Sequence, residues 1–128
     1  MLKLTYTELD LHLERLADAL EEVVAMRVML ALRTGQPLHL EPSCAAFLLP
    51  AALPGLAALE AAIDQEQLDG VAVLPADAGS MEVNLRGTWL ASTCGAHEGI
   101  FLTVLSDRTE FLVYKLWELT QAKASFLL

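Results

Sequence analysis

Residues 5–35 read TYTELDLHLERLADALEEVVAMRVMLALRTG, and the period assigned to this stretch decides how the chain opens. Leu9, Leu13, Leu16, Leu20 and Val23 recur at alternating spacings of four and three, the pattern of a seam along one helix face. Thr5 and Thr7 each offer a hydroxyl to the free N–H groups of a first turn, and Thr5-x-x-Glu8 has the spacing of a capping box. Glu8, Asp10, Glu14 and Asp18 crowd the positive end of the helix dipole, while Arg27 and Arg33 lie towards its negative end. Gly35 supplies a left-handed terminal turn, and Pro37 blocks continuation. The pattern predicts one N-terminal helix of roughly 28 residues, about 40 Å long.

The second half of that stretch changes character. Val23 to Leu32 is apolar at every position except Arg27. A helix that is apolar all round must be covered on several sides, by its own core or by another chain. The expected partner is a second copy, giving a homodimer, with Leu9, Leu13, Leu16, Leu20, Val23, Arg27 and Leu30 as the binding residues. A second, different protein partner is also expected. Arg27 sits where another apolar residue is due. Its guanidinium is read as reaching the surface or pairing with a carboxylate, at an interface, rather than as an anion site.

Downstream, Pro37–Glu41 and Cys44–Leu49 read as two short strands around a Pro42-Ser43 turn, with a short helix capped by Ser43 as the competitor. Pro50 and Pro54 bracket a connector into a helix carrying Leu56, Leu59, Ile63 and Leu68 at helical spacing. The period then becomes two. Val71–Leu74 is a short strand, 77–80 a turn, and Met81, Val83 and Leu85 alternate with Glu82, Asn84 and Arg86. That strand runs on to Trp89 or Leu90 with Gly87 as a bulge, and a polar loop over 92–99 makes a hairpin with 100–105. The last helix begins at Ser106 or Asp107, where Asp107-x-x-Glu110 again has a capping-box form. It carries Phe111, Leu112, Leu116 and Leu119, and both Trp89 and Trp117 are read as core. The fold class is α+β: an antiparallel sheet packed by helices, in the order α-β-β-α-β-β-β-α with a long N-terminal helix. One domain spans residues 1–128.

The composition agrees with a packing role. The chain is 55% hydrophobic but only 6% aromatic, so its core is built from Leu, Val and Ala. A mean hydropathy of +0.45 is high for a small monomer and fits a chain that hides apolar surface against another. The net charge of −9 comes with no Lys/Arg cluster to reverse it locally, which excludes nucleic acid as the main ligand and disfavours an anionic membrane surface. No apolar run is long enough for a membrane span. The first residues lack the apolar core of a signal peptide. Two cysteines, Cys44 and Cys94, make no disulfide framework, so a cytoplasmic location is expected.

Catalytic and metal chemistry find little support. Cys94-Gly-Ala-His97 is closely spaced, but a structural zinc site needs four ligands, and Cys44, His12 and His39 form no second pair. No metal and no cofactor are expected. Turn and cap roles account for Asp77, Asp107 and Glu110, leaving no carboxylate pair for acid–base work. Gly79, Gly87, Gly95 and Gly99 lack any phosphate-cradling spacing. The chain is therefore not expected to be an enzyme.

The element order, with the closing stretch IFLTVLSDRTEFLVYKLWEL over 100–119, resembles the roadblock/light-chain-7 class of small dimeric scaffold domains, a class without a catalytic motif. The chain departs from it in the long first helix and in the prolines of the first hairpin. TYTE (5–8), LEPS (40–43) and GTWLAS (87–92) are similar to small uncharacterised cyanobacterial proteins, which supplies a setting and no function. The expected function is a non-enzymatic interaction module acting as a homo-oligomer: a scaffold, adaptor or assembly factor. The alternative is a regulatory domain holding a small ligand in an apolar pocket. An exposed apolar patch favours the first, and a pocket lined by Arg27 with convergent polar groups favours the second.

Overall fold

Leu2, Leu4 and Tyr6 alternate with Lys3 and Thr5, and Leu11 and Leu13 alternate with His12 and Glu14. In the computed structural model, which describes residues 1–67, 70–77, 79–120 and 124–127, this period of two prevails. Strand β1 (Leu2–Tyr6) and strand β2 (Leu11–Arg15) form an antiparallel hairpin with Leu4 opposite Leu13. Thr7 and Asp10 close its turn. The Thr7 N–H donates to the Asp10 carbonyl at 2.9 Å, and the Asp10 N–H donates to Thr7 Oγ1 at 3.0 Å. Thr7 is thus a turn residue, not a helix cap.

Helix α1 is confined to Leu20–Thr34, half the expected length. Its end is where the sequence places it: Gly35 adopts φ 68° and donates its N–H to the Ala31 carbonyl. The chain then continues through strand β3 (His39–Pro50), helix α2 (Leu56–Glu66), strands β4 (Val71–Pro75), β5 (Ser80–Ala91) and β6 (Gly99–Thr103), helix α3 (Asp107–Thr120) and strand β7 (Ala124–Leu127). The order is therefore β-β-α-β-α-β-β-β-α-β. This overturns the order α-β-β-α-β-β-β-α and its long N-terminal helix, and with it the topology on which the roadblock/light-chain-7 resemblance rested. The α+β class and the antiparallel sheet stand. Leu68 lies outside the described residues.

One sheet runs β2-β1-β6-β5-β3-β7, with β4 alongside the first half of β5. The two short strands expected around Pro42-Ser43 are one strand of 12 residues, with Pro42 opposite Thr88. Strand β7 pairs only Cys44–Phe47, so β3 is an edge at Pro42, where a missing N–H breaks no second ladder. Gly87 is not a bulge, because the β3–β5 register runs unbroken from His39↔Ala91 to Pro50↔Ser80. It lies where β5 passes from β4 to β6, and a Cβ there would stand 2.1 Å from the Leu102 carbonyl oxygen.

The two sheet faces are covered unequally. On one, Leu2, Leu4, Leu13, Phe47, Trp89 and Phe101 are fully buried beneath Leu56 and Leu59 of α2 and Val113 and Leu116 of α3. Each such side chain contributes roughly 1.5–3 kcal/mol. Tyr6 meets Trp89 edge-on at 5.6 Å between ring centroids, and burial pushes its phenol pKa up to about 12. Trp117 is half-buried against the same core. In α3 it is Val113 that turns inward, while Phe111 and Leu119 are exposed. On the other face a small cluster of Leu90, Ile100 and Leu102 is met by Leu20, Val23 and Val24 of α1.

Glu110, expected in the capping box of the last helix, does different work. It is buried, with one oxygen 2.7 Å from the Met1 ammonium and the other 3.3 Å from Arg15 Nε. Ser106 caps α3 instead, accepting from the Thr109 N–H at 3.3 Å. Glu66, at the end of α2, accepts hydrogen bonds from the Ser106 and Thr109 hydroxyls, tying the two helices together.

Candidate functional site

A helix of 15 residues with a run as apolar as Val23–Leu32 would ordinarily bury a stripe of side chains. In α1 no residue is buried. At about 100° per residue, Leu20, Val23, Val24, Arg27 and Ala31 share one side, and these are the partly covered positions. Glu22, Met26, Met29 and Arg33 fall on the opposite side, spaced four, three and four apart. Met26 is 71% exposed, Met29 51%, Leu30 55% and Leu32 77%. The outward stripe thus has an apolar middle, an acid near the helix N-terminus and a base near its C-terminus, each complementing the dipole end it occupies.

The sheet face beneath α1 is itself only partly covered. Leu40 is opposite Leu90, and Glu82 is opposite both Leu48 and Leu74. Cross-strand partners share a face, so Leu40, Leu48 and Leu74, all exposed, lie on the α1 side of the sheet. Leu40 lies at the end of β5 that α1 covers, opposite Leu90, while Leu48 and Leu74 lie eight residues along β5, opposite Glu82.

The residues expected to bind a partner are dispersed. Leu9 is 96% exposed in the β1–β2 turn, Leu13 is buried in the main core, and Leu16 follows β2 with its N–H bonded to the Met1 carbonyl. Leu20 and Val23 face the sheet, and only Leu30 borders the outward stripe. The helical seam through Leu9, Leu13, Leu16, Leu20 and Val23 does not exist, because its first half is a hairpin. Arg27 lies on the sheet side and has no carboxylate at ion-pair distance among the described residues. Sequence reasoning missed Glu22, Met26, Met29 and Arg33 as a set. Their spacing was legible, but the longer seam drew the heptad assignment away from them.

The loop bearing Cys94 and His97 is exposed, and both cysteines are free thiols. Among the described residues no three His, Cys, Asp or Glu side chains come together as a metal-ligand set, and no helix is long and apolar enough to cross a membrane. In comparisons with known proteins, the family model described as Alr0857-like matches residues 1–121. No curated protein and no solved structure matches the chain.

Proposed function

The chain belongs to the Alr0857-like family, and on that footing we propose that it is a non-enzymatic protein–protein interaction module that acts as a homodimer through the outward face of α1. The observation that carries this reading is the self-complementarity of the stripe Glu22–Met26–Met29–Arg33. When two copies of α1 pack antiparallel about a two-fold axis between Met26 and Met29, Met26 lies against the partner's Met29. Glu22 then lies opposite the partner's Arg33, at both ends of the contact. An isologous interface needs such a patch, since each residue must find its complement on an identical surface. Methionine suits the centre because its unbranched thioether adapts to irregular contacts.

A scaffold, adaptor or assembly role in the cytoplasm follows as the functional class, with two free thiols in keeping with a reducing compartment. A non-catalytic reading is supported by the use made of the buried Glu110 and the partly buried Glu66. Both are engaged in holding helix α3 in place.

Sedimentation analysis from low micromolar to millimolar concentration tests the reading. The wild-type chain should dimerise, and Met26→Glu with Met29→Glu should leave a monomer whose folding stability changes by less than about 0.5 kcal/mol, since both side chains face solvent. Glu22→Arg and Arg33→Glu should each weaken the dimer, and the two together should restore it. A monomer at every concentration, or a dimer indifferent to the methionine substitutions, would overturn the proposal.

A further inference from the structure

The inner side of α1 presents a different feature. Between the C-terminal half of this helix and the adjoining ends of β1, β5 and β6 lies a cleft of about 330 Å³. Its apolar wall is made by Leu38, Leu90 and Ile100, and Thr5, Gln36 and Ser92 add polar groups at its margin. Arg27 also lines it. The helix supplies Arg27 with no neutralising neighbour: Val23 and Val24 precede it by four and three residues, and Leu30 and Ala31 follow by three and four. No carboxylate elsewhere among the described residues reaches ion-pair distance. In a chain carrying 17 acidic residues against 8 basic ones, a half-buried guanidinium left without a counter-ion is conspicuous. Partial desolvation makes an unpaired charge costly.

From this arrangement we infer that the cleft is a binding site for a small carboxylate with an apolar chain, held by Arg27 at its head and by Leu38, Leu90 and Ile100 along its body. A planar guanidinium matches a carboxylate through two parallel hydrogen bonds. The cleft volume is at the lower end of that found for small-molecule sites, so the chain is short to medium in length. Thr5, Gln36 and Ser92 line the same cleft and offer hydroxyl and amide donors to a carboxylate. The cleft opens on the sheet side of α1, while Arg27 and Leu30 also border the outward surface of Met26, Met29 and Arg33, so ligand binding and self-association are read separately, by calorimetry and by sedimentation.

Calorimetric titration with octanoate tests it, with acetate and 1-octanol as controls that keep only the charge or only the chain. Octanoate should bind saturably at one site per chain, and both controls should bind at least about tenfold more weakly. Shorter homologues of octanoate should lose up to about fourfold in affinity per methylene removed. Arg27→Met keeps helix propensity and side-chain length, and should weaken octanoate about tenfold or more while leaving the melting temperature of the unliganded chain unchanged or raised. Ala31→Leu, which narrows the cleft from the helix side, should weaken octanoate while leaving the oligomeric state unchanged. Equal binding of octanol would reduce the cleft to an unspecific apolar crevice, and equal binding of acetate would reduce it to a surface anion contact. Either result, absence of saturable octanoate binding, or full affinity in Arg27→Met overturns the inference. The comparison of ligands requires no variant, so it remains decisive whatever the stability of the substituted chains.

Discussion

At the scale of single residues, the strongest constraints sit where backbone meets backbone. Gly87 occupies the point at which β5 exchanges β4 for β6 as its neighbour. A methyl group there would meet the Leu102 carbonyl oxygen at 2.1 Å and the Phe101 ring at 2.7 Å. The first obstacle is main chain and cannot rotate away. The Gly87→Ala variant should therefore lose about 3 kcal/mol of stability, measured by denaturant unfolding, and a loss under about 1 kcal/mol would mean that β6 can shift outward. Tyr6 makes a second residue-level statement. Its phenol is held neutral by burial, with a pKa raised from 10.0 to about 12. In the unfolded chain the phenol ionises from about pH 10, while the folded protein keeps its proton. Stability is thus complete below pH 10 and falls as pH rises towards 12. Tyr6→Phe, which has no proton to lose, should unfold with a shallower pH dependence across that window.

At the scale of elements, the three helices among the described residues are held very differently. Helices α2 and α3 bury Leu56, Leu59, Ala62, Val113 and Leu116 and are cross-linked through Glu66, Ser106 and Thr109. Helix α1 buries nothing fully and touches the sheet through Leu20, Val23 and Val24. Few buried apolar contacts mean a low free energy of local opening. In hydrogen exchange at low protein concentration, the α1 amides should exchange well before those of α3. Raising the concentration should slow exchange in α1 selectively, because dimerisation covers that helix and leaves α3 as it was. No such slowing should occur in the variant combining Met26→Glu with Met29→Glu. Protection of α1 equal to that of α3 at all concentrations would mean that its sheet contacts alone suffice.

For the whole molecule, the asymmetry of the sheet is the governing fact. One face carries two helices and nearly all of the core, while the other carries α1 alone and leaves Leu40, Leu48 and Leu74 exposed. The high hydropathy that marked the sequence is therefore not consumed by the fold. Part of it remains on the surface, at Met26, Met29, Leu30 and Leu32 of α1, where a second copy is proposed to cover it.

Local pattern alone determined the alternation of Met81–Arg86, the hairpin of β5 with β6, the helix over Leu56 and Leu59, and the stop at Gly35. These features depend on spacing and turn chemistry within a few residues. The opening of the chain was not settled that way. Leu9, Leu13 and Leu16 satisfy a helical period, while Leu2, Leu4, Leu11 and Leu13 satisfy a strand period, and propensity alone does not choose between them. Tertiary structure decided it: β6 offers β1 a ladder from Leu2↔Thr103 to Tyr6↔Gly99, and the main core accepts Leu13. A strand is stabilised by a partner distant in sequence, so its presence is invisible in its own residues. The same reason hid the continuity of β3 through Pro42, which depends on what β7 leaves unpaired. It also hid which side of α1 faces outward, since an apolar run marks a need for cover without saying which side the sheet will meet.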